Sequence, residues 1–193
     1  MWWQNMDKRS KKKLVGLIVA LLLAVIGPIV AQKLPHTSQA AAPPGYYNVK
    51  EFADGDTITV DMNGTPEKIR FIGVDTPETQ DPRKAVQCYG KAASEFTKRF
   101  IGNQPVRLEA DPINTNRDRY NRLLRYVYLQ DGTLVNAEII KQGYGFAYTS
   151  FPFTKVDEFR NLQKQAQDQK AGLWSSCQPT ANQYGGYTSS NAN

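Results

Sequence analysis

The sequence predicts an α+β fold in which a five-stranded Greek-key β-barrel of the OB-fold type carries three helices. Five short stretches have the alternating pattern or the β-branched and aromatic content of strands. Helical patterns interrupt and follow them, and one of these lies between the third and fourth strands. A chain of 193 residues with 40% apolar content is long enough to bury one such core.

The first three strands are predicted to form a meander. Residues 47–52 lead into residues 57–62, where polar and apolar side chains alternate. Asn63-Gly64 offers a tight two-residue turn, because both residues tolerate a positive φ. Residues 68–74 then continue as the third strand.

The remaining strands are predicted at residues 106–110 and 123–129. Helices are predicted at residues 87–101, 136–142 and 154–171, and a glycine follows each of them. The first helix therefore separates the third strand from the fourth, and this order suggests a small Greek-key barrel of the oligonucleotide-binding kind.

The third helix has the clearest start signal and apolar face. Thr154 is expected to cap its first turn, with Asp157 at the capping-box position. Phe159, Leu162 and Ala166 recur on one side and should pack against the sheet.

The N-terminal segment has the pattern of an export signal. An apolar stretch at residues 14–31 follows five Lys and Arg residues, so residues 1–31 are a signal peptide or an N-terminal transmembrane anchor. Residues 32–45 are expected to form a flexible linker, residues 46–177 the folded domain and residues 178–193 a disordered tail. The domain is thus expected to be extracellular, either secreted or anchored at the outer face of the cytoplasmic membrane. Any membrane contact would be made through the N-terminal segment alone.

The net charge of +6 belongs mainly to this leader. Residues 1–31 hold five of the 24 Lys and Arg residues and one of the 18 Asp and Glu residues, which leaves +2 for residues 32–193. Any affinity for a polyanion must therefore come from local clustering, such as the four arginines between Arg117 and Arg125.

The protein is expected to be a monomer.

Histidine and cysteine usage narrows the chemistry further. The sole histidine, His36, lies in the linker, which excludes imidazole catalysis and histidine metal sites in the domain. Cys88 and Cys177 are the only cysteines. In an exported protein they are expected to form a disulfide, and two separate buried thiols are the alternative.

Two short acidic clusters are the candidate chemical centre. Asp54-Gly55-Asp56-Thr57 and Val74-Asp75-Thr76-Pro77-Glu78 flank a strand that contains Arg70, and the segment from Arg117 to Arg122 is rich in arginine. Carboxylate and carbonyl oxygens suit Ca²⁺ or Mg²⁺, whereas arginine matches the oxygens of a phosphate. The combination indicates metal-assisted attack on a phosphodiester, although either cluster alone could be a surface loop.

The order of these motifs closely resembles that of the staphylococcal nuclease, or thermonuclease, family. The resemblance covers residues 48–176 and includes Tyr89-Gly90 before a helix, Asp118-Arg119-Tyr120-Asn121-Arg122, and Gly172-Leu173-Trp174-Ser175 near the end. The cysteine pair is not a general feature of that family.

The resemblance implies a set of roles for individual residues. Asp56, Asp75 and the Thr76 carbonyl would hold Ca²⁺, with Asp54 nearby through water. Glu78 would orient or deprotonate the attacking water. The remaining assignments are Arg70 and Arg122 on the scissile phosphate, and Arg119, Tyr120 and Tyr148 as substrate contacts, with Tyr148 open to an equal interpretation as a packing residue.

The expected function is that of a calcium-dependent endonuclease. The resemblance implies hydrolysis of DNA and RNA that leaves 3′-phosphate ends. The alternative is a noncatalytic OB-fold module that binds oligonucleotides at the cell surface. A pure binding module has no need for both arginines together with Asp56, Asp75 and Glu78, and all five are present.

Overall fold

The computed structural model describes residues 7–9, 12–13, 42–79, 85–183 and 186–192. Residues 1–39 and residues 40–193 form two separate units. The predicted leader at residues 14–31 and most of the predicted linker lie outside the described residues. Within the described residues, no helix combines the length and apolar character needed to cross a bilayer.

The described part of the second unit contains ten short strands, six of which form one sheet. The sheet has the order β1-β6-β7-β4-β3-β2, and its neighbours are antiparallel except for the parallel pair β4 and β7. Strand β5 pairs with β8, and β9 with β10. The strands are β1 (Tyr46–Tyr47), β2 (Val49–Asp54), β3 (Thr57–Met62), β4 (Thr65–Phe71), β5 (Val74–Asp75), β6 (Val106–Glu109), β7 (Leu123–Tyr128), β8 (Phe146–Ala147), β9 (Thr180–Ala181) and β10 (Tyr187–Thr188).

Strands β1 and β2 lie at opposite edges of the six-stranded sheet. Only Asn48 separates these two strands, so one bent segment joins both edges and closes the sheet. Counting β1 and β2 as one strand gives the five strands predicted from the sequence. The predicted turn is also present, since Asn63 and Gly64 have φ values of 56° and 87°. The α+β barrel prediction is confirmed.

Four helices accompany the barrel in the described part of residues 40–193: α1 (Gly90–Ile101), α2 (Val135–Lys141), α3 (Val156–Asp168) and the single turn α4 (Leu173–Ser176). The first begins three residues later than predicted, because Tyr89 has a φ of 70° and cannot continue a right-handed turn. Phe159 and Ala166 of α3 are fully buried and Leu162 is half-buried against the core, as their spacing predicts.

The predicted cap of α3 is wrong. Helix α3 begins at Val156, and Lys155 precedes it with no side-chain capping bond. Thr154 instead donates both its amide and its hydroxyl to Oδ2 of Asp111, at 2.7 and 2.6 Å. A carboxylate that accepts two hydrogen bonds competes successfully with the orphan amides of a helix end.

Asp111 is the centre of a buried polar cluster. It is 6% exposed and also accepts a 2.7 Å hydrogen bond from the Tyr126 hydroxyl. Burial opposes ionisation, but the hydrogen bonds from Thr154 and Tyr126 outweigh it and lower the pKa of Asp111 to about 2. The cluster ties the segment before α3 to the barrel strand that carries Tyr126.

We expect Asp111→Asn to lower the free energy of unfolding by about 2 kcal/mol at neutral pH. The pKa of Asp111 is lower in the folded than in the unfolded protein, so its contribution is complete above the unfolded pKa. It is lost as the pH falls towards about 2. Urea unfolding of wild type and Asp111→Asn, measured from neutral pH down towards a pH of about 2, should therefore show that the difference in their free energies of unfolding becomes smaller in acid. Asp157→Asn is the control, because Asp157 is 88% exposed in its side chain. An Asp111 variant whose stability follows that of wild type at every pH would contradict the prediction.

Asn136 is a second buried polar residue that connects elements near the strand ends. It is fully buried at the start of α2, accepts a hydrogen bond from the Val127 amide at 2.9 Å and donates to the Ile72 carbonyl at 2.9 Å. These bonds satisfy the Val127 amide within β7 and the Ile72 carbonyl just after β4. The chain can therefore leave the sheet at Ile72 and turn towards β5.

The segment after residue 177 differs from the expected disordered tail. The structure places the β9–β10 hairpin there and bonds Ser190 and Ala192 to residues 86 and 88. Cys88 and Cys177 form a disulfide across a separation of 89 residues. In the loop-entropy model a crosslink of this span stabilises the fold by about 4 to 5 kcal/mol. The polar composition of the segment does not disclose these long-range partners.

Candidate active site

The tight connection between β2 and β3 positions the first acidic cluster. Gly55 is required there, because a Cβ atom at this position would lie 2.8 Å from Cγ2 of Thr76. The Thr97 hydroxyl on α1 donates a 2.6 Å hydrogen bond to the Gly55 carbonyl. This connection brings Asp56 against the second acidic cluster. The Asp56 carboxylate accepts hydrogen bonds from the Thr76 amide at 2.9 Å and the Thr76 hydroxyl at 3.1 Å.

Arg70 lies between the two acidic clusters. Strand pairing places it opposite Thr57, beside Asp56. Its Nη1 atom is 2.9 Å from Oδ2 of Asp56, and its Nη2 atom is 3.2 Å from Oδ1 of Asp75. Nη1 also donates to the Val74 carbonyl at 2.7 Å. One guanidinium therefore reaches both carboxylates, which shows that the two acidic groups converge.

Gly73 allows the chain to turn between Arg70 and Asp75. It has a φ of 71°, and a Cβ atom there would lie 2.7 Å from the Phe153 ring and 2.8 Å from Phe159. This close packing ends β4 and starts β5, which is why the single strand predicted at residues 68–74 is two strands in the structure. Strand β5 then pairs Asp75 with Phe146 of β8.

Arg122 enters from the segment that precedes β7. In the parallel pairing of β4 and β7, Leu124 lies opposite Arg70. Arg122 precedes Leu124 by two residues and therefore lies close to the end of β4 that carries Arg70. Nε and Nη2 of Arg122 contact Oδ2 of Asp118, and the Arg122 amide donates to Oδ1. Burial opposes ionisation of Asp118, but these hydrogen bonds outweigh it and lower its pKa. Asp118 thus holds the guanidinium of Arg122 in a fixed direction.

Glu78 follows Pro77 in the loop after β5. The Glu78 amide donates a 2.8 Å hydrogen bond to Oε1 of Gln87, and the Gln87 amide donates back to the Glu78 carbonyl at 2.9 Å. Oε1 of Glu78 accepts from the Thr79 amide at 2.9 Å. Both backbone polar groups of Glu78 are therefore fixed by one residue.

These side chains line one cleft of about 510 Å³. Eight of the nine residues assigned to catalysis, metal or substrate contribute to it, and Tyr148 is the exception. Arg119, Arg122 and Tyr120 form its outer part, with the guanidinium carbons 4.8 and 5.4 Å from the centre of the Tyr120 ring. The full lining is Asp54, Asp56, Thr57, Arg70, Asp75, Thr76, Glu78, Arg119, Tyr120 and Arg122.

Burial and neighbouring charges shift the pKa values of two groups in the cleft. Burial raises the pKa of Asp54 to about 6, with a further contribution from the neighbouring charge of Asp56. For Arg70 burial favours loss of the proton, but Asp56 and Asp75 outweigh it and raise the pKa. A concentration of acidic groups and retained arginine charge in one cleft is typical of a functional site.

Tyr148 does not line the cleft, although it lies close to it. Its amide donates to the Gly73 carbonyl at 2.8 Å, and its ring centre lies 5.9 Å from that of Phe151. Tyr148 is 36% exposed and Phe151 is 60% exposed. The substrate-contact role predicted for Tyr148 remains a prediction.

Sequence reasoning missed several residues that shape the cleft. Thr57 donates to Oδ1 of Asp56 at 2.9 Å, and Thr79 donates to Oδ1 of Asp54 at 3.1 Å. Gln87 holds the backbone of Glu78 from a distance of nine residues. Hydroxyl groups adjacent to acidic motifs give a weak sequence signal, whereas Gln87 gives none.

The donor set fits a hard divalent cation with an incomplete shell. Among the described residues, no group of three or more His, Cys, Asp or Glu side chains could hold a metal. The candidate donors are instead two carboxylates, from Asp56 and Asp75, and the Thr76 carbonyl. The Arg70 guanidinium contacts both carboxylates, which shows that the Asp56 and Asp75 side chains lie close together. Water and a substrate oxygen would have to complete the shell, a composition that Ca²⁺ tolerates.

Comparisons with known proteins identify the family. The family model described as staphylococcal nuclease homologue matches residues 68–176. The chain belongs to this family. It is 39% identical over 175 residues to the thermonuclease of Staphylococcus hyicus, covering 86% of this chain and 99% of that protein. It is 46% identical over 132 residues to the thermonuclease of Staphylococcus intermedius, covering 66% of this chain and 75% of that protein.

A relative from another genus supports the same membership. Endonuclease YncB of Bacillus subtilis is 39% identical over 149 residues, covering 72% of this chain and 70% of that protein. The staphylococcal nuclease homologue match starts within β4 and ends at the last residue of α4. It includes Arg70, Asp75, Glu78 and Arg122, so most of the cleft belongs to the matched region. The resemblance predicted from the sequence motifs is confirmed.

Proposed function

We propose that this protein is a calcium-dependent endonuclease that hydrolyses DNA and RNA and leaves 3′-phosphate ends. Family membership and relatives named as thermonucleases and endonucleases support nuclease function. The observation that carries the proposal is the convergence of Asp56 and Asp75 on Arg70, in a cleft that Glu78 and Arg122 share.

The positively charged groups would bind the scissile phosphate. A phosphodiester carries one negative charge, and attack by water concentrates further charge on its oxygens. Arg70 and Arg122 would each donate hydrogen bonds to these oxygens. These hydrogen bonds become stronger as negative charge develops on the oxygens. Asp118 keeps Arg122 oriented, so the guanidinium needs little reorganisation when the substrate binds.

Asp56, Asp75 and the Thr76 carbonyl would hold the Ca²⁺ ion. When bound, the ion supplies positive charge to a phosphate oxygen and makes phosphorus more susceptible to attack. The hydrogen bonds from Thr76 and Thr57 to Asp56 fix the direction of that carboxylate.

Glu78 would orient or deprotonate the attacking water. The water gives up a proton to Glu78 or to solvent as its oxygen forms a bond to phosphorus; the bond to the 5′-oxygen breaks, and the departing oxygen takes up a proton from solvent. The phosphate consequently stays on the 3′-oxygen. The two hydrogen bonds between Gln87 and the backbone of Glu78 hold this segment in place, so orientation of the water contributes to the role of Glu78.

Arg119 and Tyr120 would contact the substrate beyond the scissile phosphate. Arg119 Nη2 donates to the Tyr120 hydroxyl at 2.8 Å, and Tyr120 is 64% exposed. We also propose Tyr148 as a stacking surface for a base, because its ring and that of Phe151 are both accessible. Stacking tolerates every base and suits an enzyme that accepts both DNA and RNA.

We further propose that the domain acts outside the membrane as a monomer. It would be secreted or anchored at the outer face of the cytoplasmic membrane through its N-terminal segment. The Cys88–Cys177 disulfide supports an oxidising compartment.

The purified domain is expected to degrade single-stranded DNA when Ca²⁺ is added and to stop when a chelator is added. Calcium-dependent release of short products from labelled DNA measures this directly. The products should resist extension by a polymerase until a phosphatase removes their 3′-phosphates. Degradation that continues in chelator would contradict the metal assignment, and binding without cleavage would favour the noncatalytic module.

A further inference from the structure

The loop that carries Glu78 is held by a segment nine residues later in the chain. The side-chain oxygen of Gln87 accepts a hydrogen bond from the backbone amide of Glu78. The backbone amide of Gln87 donates a hydrogen bond to the backbone carbonyl of Glu78. Gly90 makes this approach possible, because a Cβ atom there would lie 3.1 Å from the Glu78 carbonyl oxygen. Any shift of residues 86–88 would therefore move the backbone of Glu78.

Residues 86–88 are in turn held by residues 186–192, which we call the C-terminal strap. The Cys88 amide donates to the Ser190 carbonyl at 2.7 Å, and the Ala192 amide donates to the Val86 carbonyl at 2.8 Å. Gln87 lies opposite Asn191 in an antiparallel bridge. The strap thus adds a short strand beside the segment that supports Glu78.

A side-chain hydrogen bond reinforces this pairing. The Ser189 hydroxyl donates to the Cys88 carbonyl at 2.8 Å, and Ser189 is only 4% exposed. The Ser190 hydroxyl donates to the Cys177 carbonyl at 3.1 Å. Both cysteines of the disulfide are therefore hydrogen-bonded to the strap, which joins the two ends of the crosslink.

Aromatic packing attaches the strap to Phe146 in β8 and to Trp174 in α4. The Tyr187 ring lies 5.0 Å from Trp174 in an edge-to-face arrangement and 6.1 Å from Phe146. Phe146 is the strand partner of Asp75. The strap consequently connects the backbone that carries Glu78 to the strand pair that carries Asp75.

We infer that the C-terminal strap positions Glu78 for catalysis, and that Gln87 is the positioning residue through which it acts. The inference rests on the proposed function, because it takes Glu78 as the residue that handles the attacking water. The strap and Gln87 touch no substrate in this scheme. They restrict the backbone of Glu78, so their loss lowers turnover and leaves substrate binding by the arginines unchanged.

The expected effect is moderate and specific to turnover. A displacement of about 1 Å in a reacting group lowers rates by up to about 10²-fold. Gln87→Met removes one of the two hydrogen bonds to the Glu78 backbone. Glu78 should move by less than about 1 Å, because the hydrogen bond from the backbone amide of residue 87 to the Glu78 carbonyl remains. We therefore expect kcat to fall about 10-fold in Gln87→Met with KM for DNA unchanged.

A double-variant experiment separates positioning from general stability. Gln87→Met and Glu78→Gln are assayed singly and together, with exposed Gln165→Met on α3 as the matched control. If Gln87 acts through Glu78, Gln87→Met lowers kcat in wild type and has no further effect in the Glu78→Gln protein. Equal losses in both backgrounds would overturn the inference. Wild-type kcat in Glu78→Gln would instead count against the proposed role of Glu78 itself.

The contribution of the strap is tested by Ser189→Ala, with Thr65→Ala as the control, because Thr65 is exposed at the start of β4 and does not pair with the strap. Hydrogen exchange of the Glu78 and Gln87 amides, measured on the full chain, reports whether the supporting segment loosens. Faster exchange at both amides together with a lower kcat in Ser189→Ala supports the inference. Unchanged exchange at both amides and unchanged kcat in Ser189→Ala would overturn the role of the strap, and wild-type kcat in Gln87→Met would overturn the role of Gln87.

Discussion

Replacement of Arg122 by alanine is expected to lower kcat by on the order of 10²- to 10³-fold. The Arg122 guanidinium contacts Asp118 through Nε and Nη2 and faces the cleft that contains Arg70. Its removal takes away a hydrogen-bond donor for charge that develops on the phosphate oxygens. It also leaves Asp118 without the charged partner that stabilises its ionised form.

Arg122→Lys should recover little of this loss. Lysine keeps the charge but cannot contact Asp118 and a phosphate through one planar group. Arg160→Ala is the matched control, because Arg160 pairs with Asp157 on the exposed surface of α3. Steady-state kinetics on single-stranded DNA, with circular dichroism to verify folding, measures the effect. Wild-type turnover in Arg122→Ala would remove this arginine from the proposed site.

Replacement of Asp75 by alanine is expected to remove nearly all Ca²⁺-dependent activity, with a loss of several kcal/mol of transition-state stabilisation. Asp75 is the more accessible of the two proposed carboxylate ligands, with 47% of its side chain exposed, compared with 8% for Asp56. Its replacement should therefore disturb the fold less. Arg70 keeps its contact with Asp56 in this variant.

The matching measurement is cleavage rate as a function of Ca²⁺ concentration. Asp75→Ala should need far more Ca²⁺ than wild type, whereas the surface variant Asp157→Ala should behave as wild type does. Thermal unfolding of each protein verifies that the effect is not a loss of folding. An unchanged Ca²⁺ requirement in Asp75→Ala would show that Asp75 is not a ligand.

Local sequence patterns predict the strands of the barrel, and together with the family resemblance they predict most of the residues that line the cleft. The alternation at residues 57–62 and the Asn63-Gly64 turn are local signals, and the structure contains the strand and the turn. The motif around Asp75 was also informative, because Pro77 restricts the backbone before it. Strand pairing between β3 and β4 then brings Arg70 beside Asp56 without any further requirement.

Features that depend on distant partners were not predictable from the sequence. Thr154 has the pattern of a helix cap, but Asp111, which is 43 residues away, accepts its hydrogen bonds. The polar composition after Cys177 predicts disorder, yet Ser190 pairs with a segment about 100 residues earlier. In each case the deciding group is brought close by the tertiary fold. Short-range propensities cannot report such contacts.

In the proposed active site, two carboxylates and one carbonyl hold a Ca²⁺ ion opposite two arginines. Calorimetric titration of Ca²⁺ into the protein, with a bound phosphorothioate oligonucleotide that resists hydrolysis, tests this arrangement most directly. We predict one Ca²⁺ ion per protein molecule, with binding lost in Asp75→Ala and retained in Asp157→Ala. Equal Ca²⁺ binding by wild type and Asp75→Ala, or no binding by either, would contradict this arrangement.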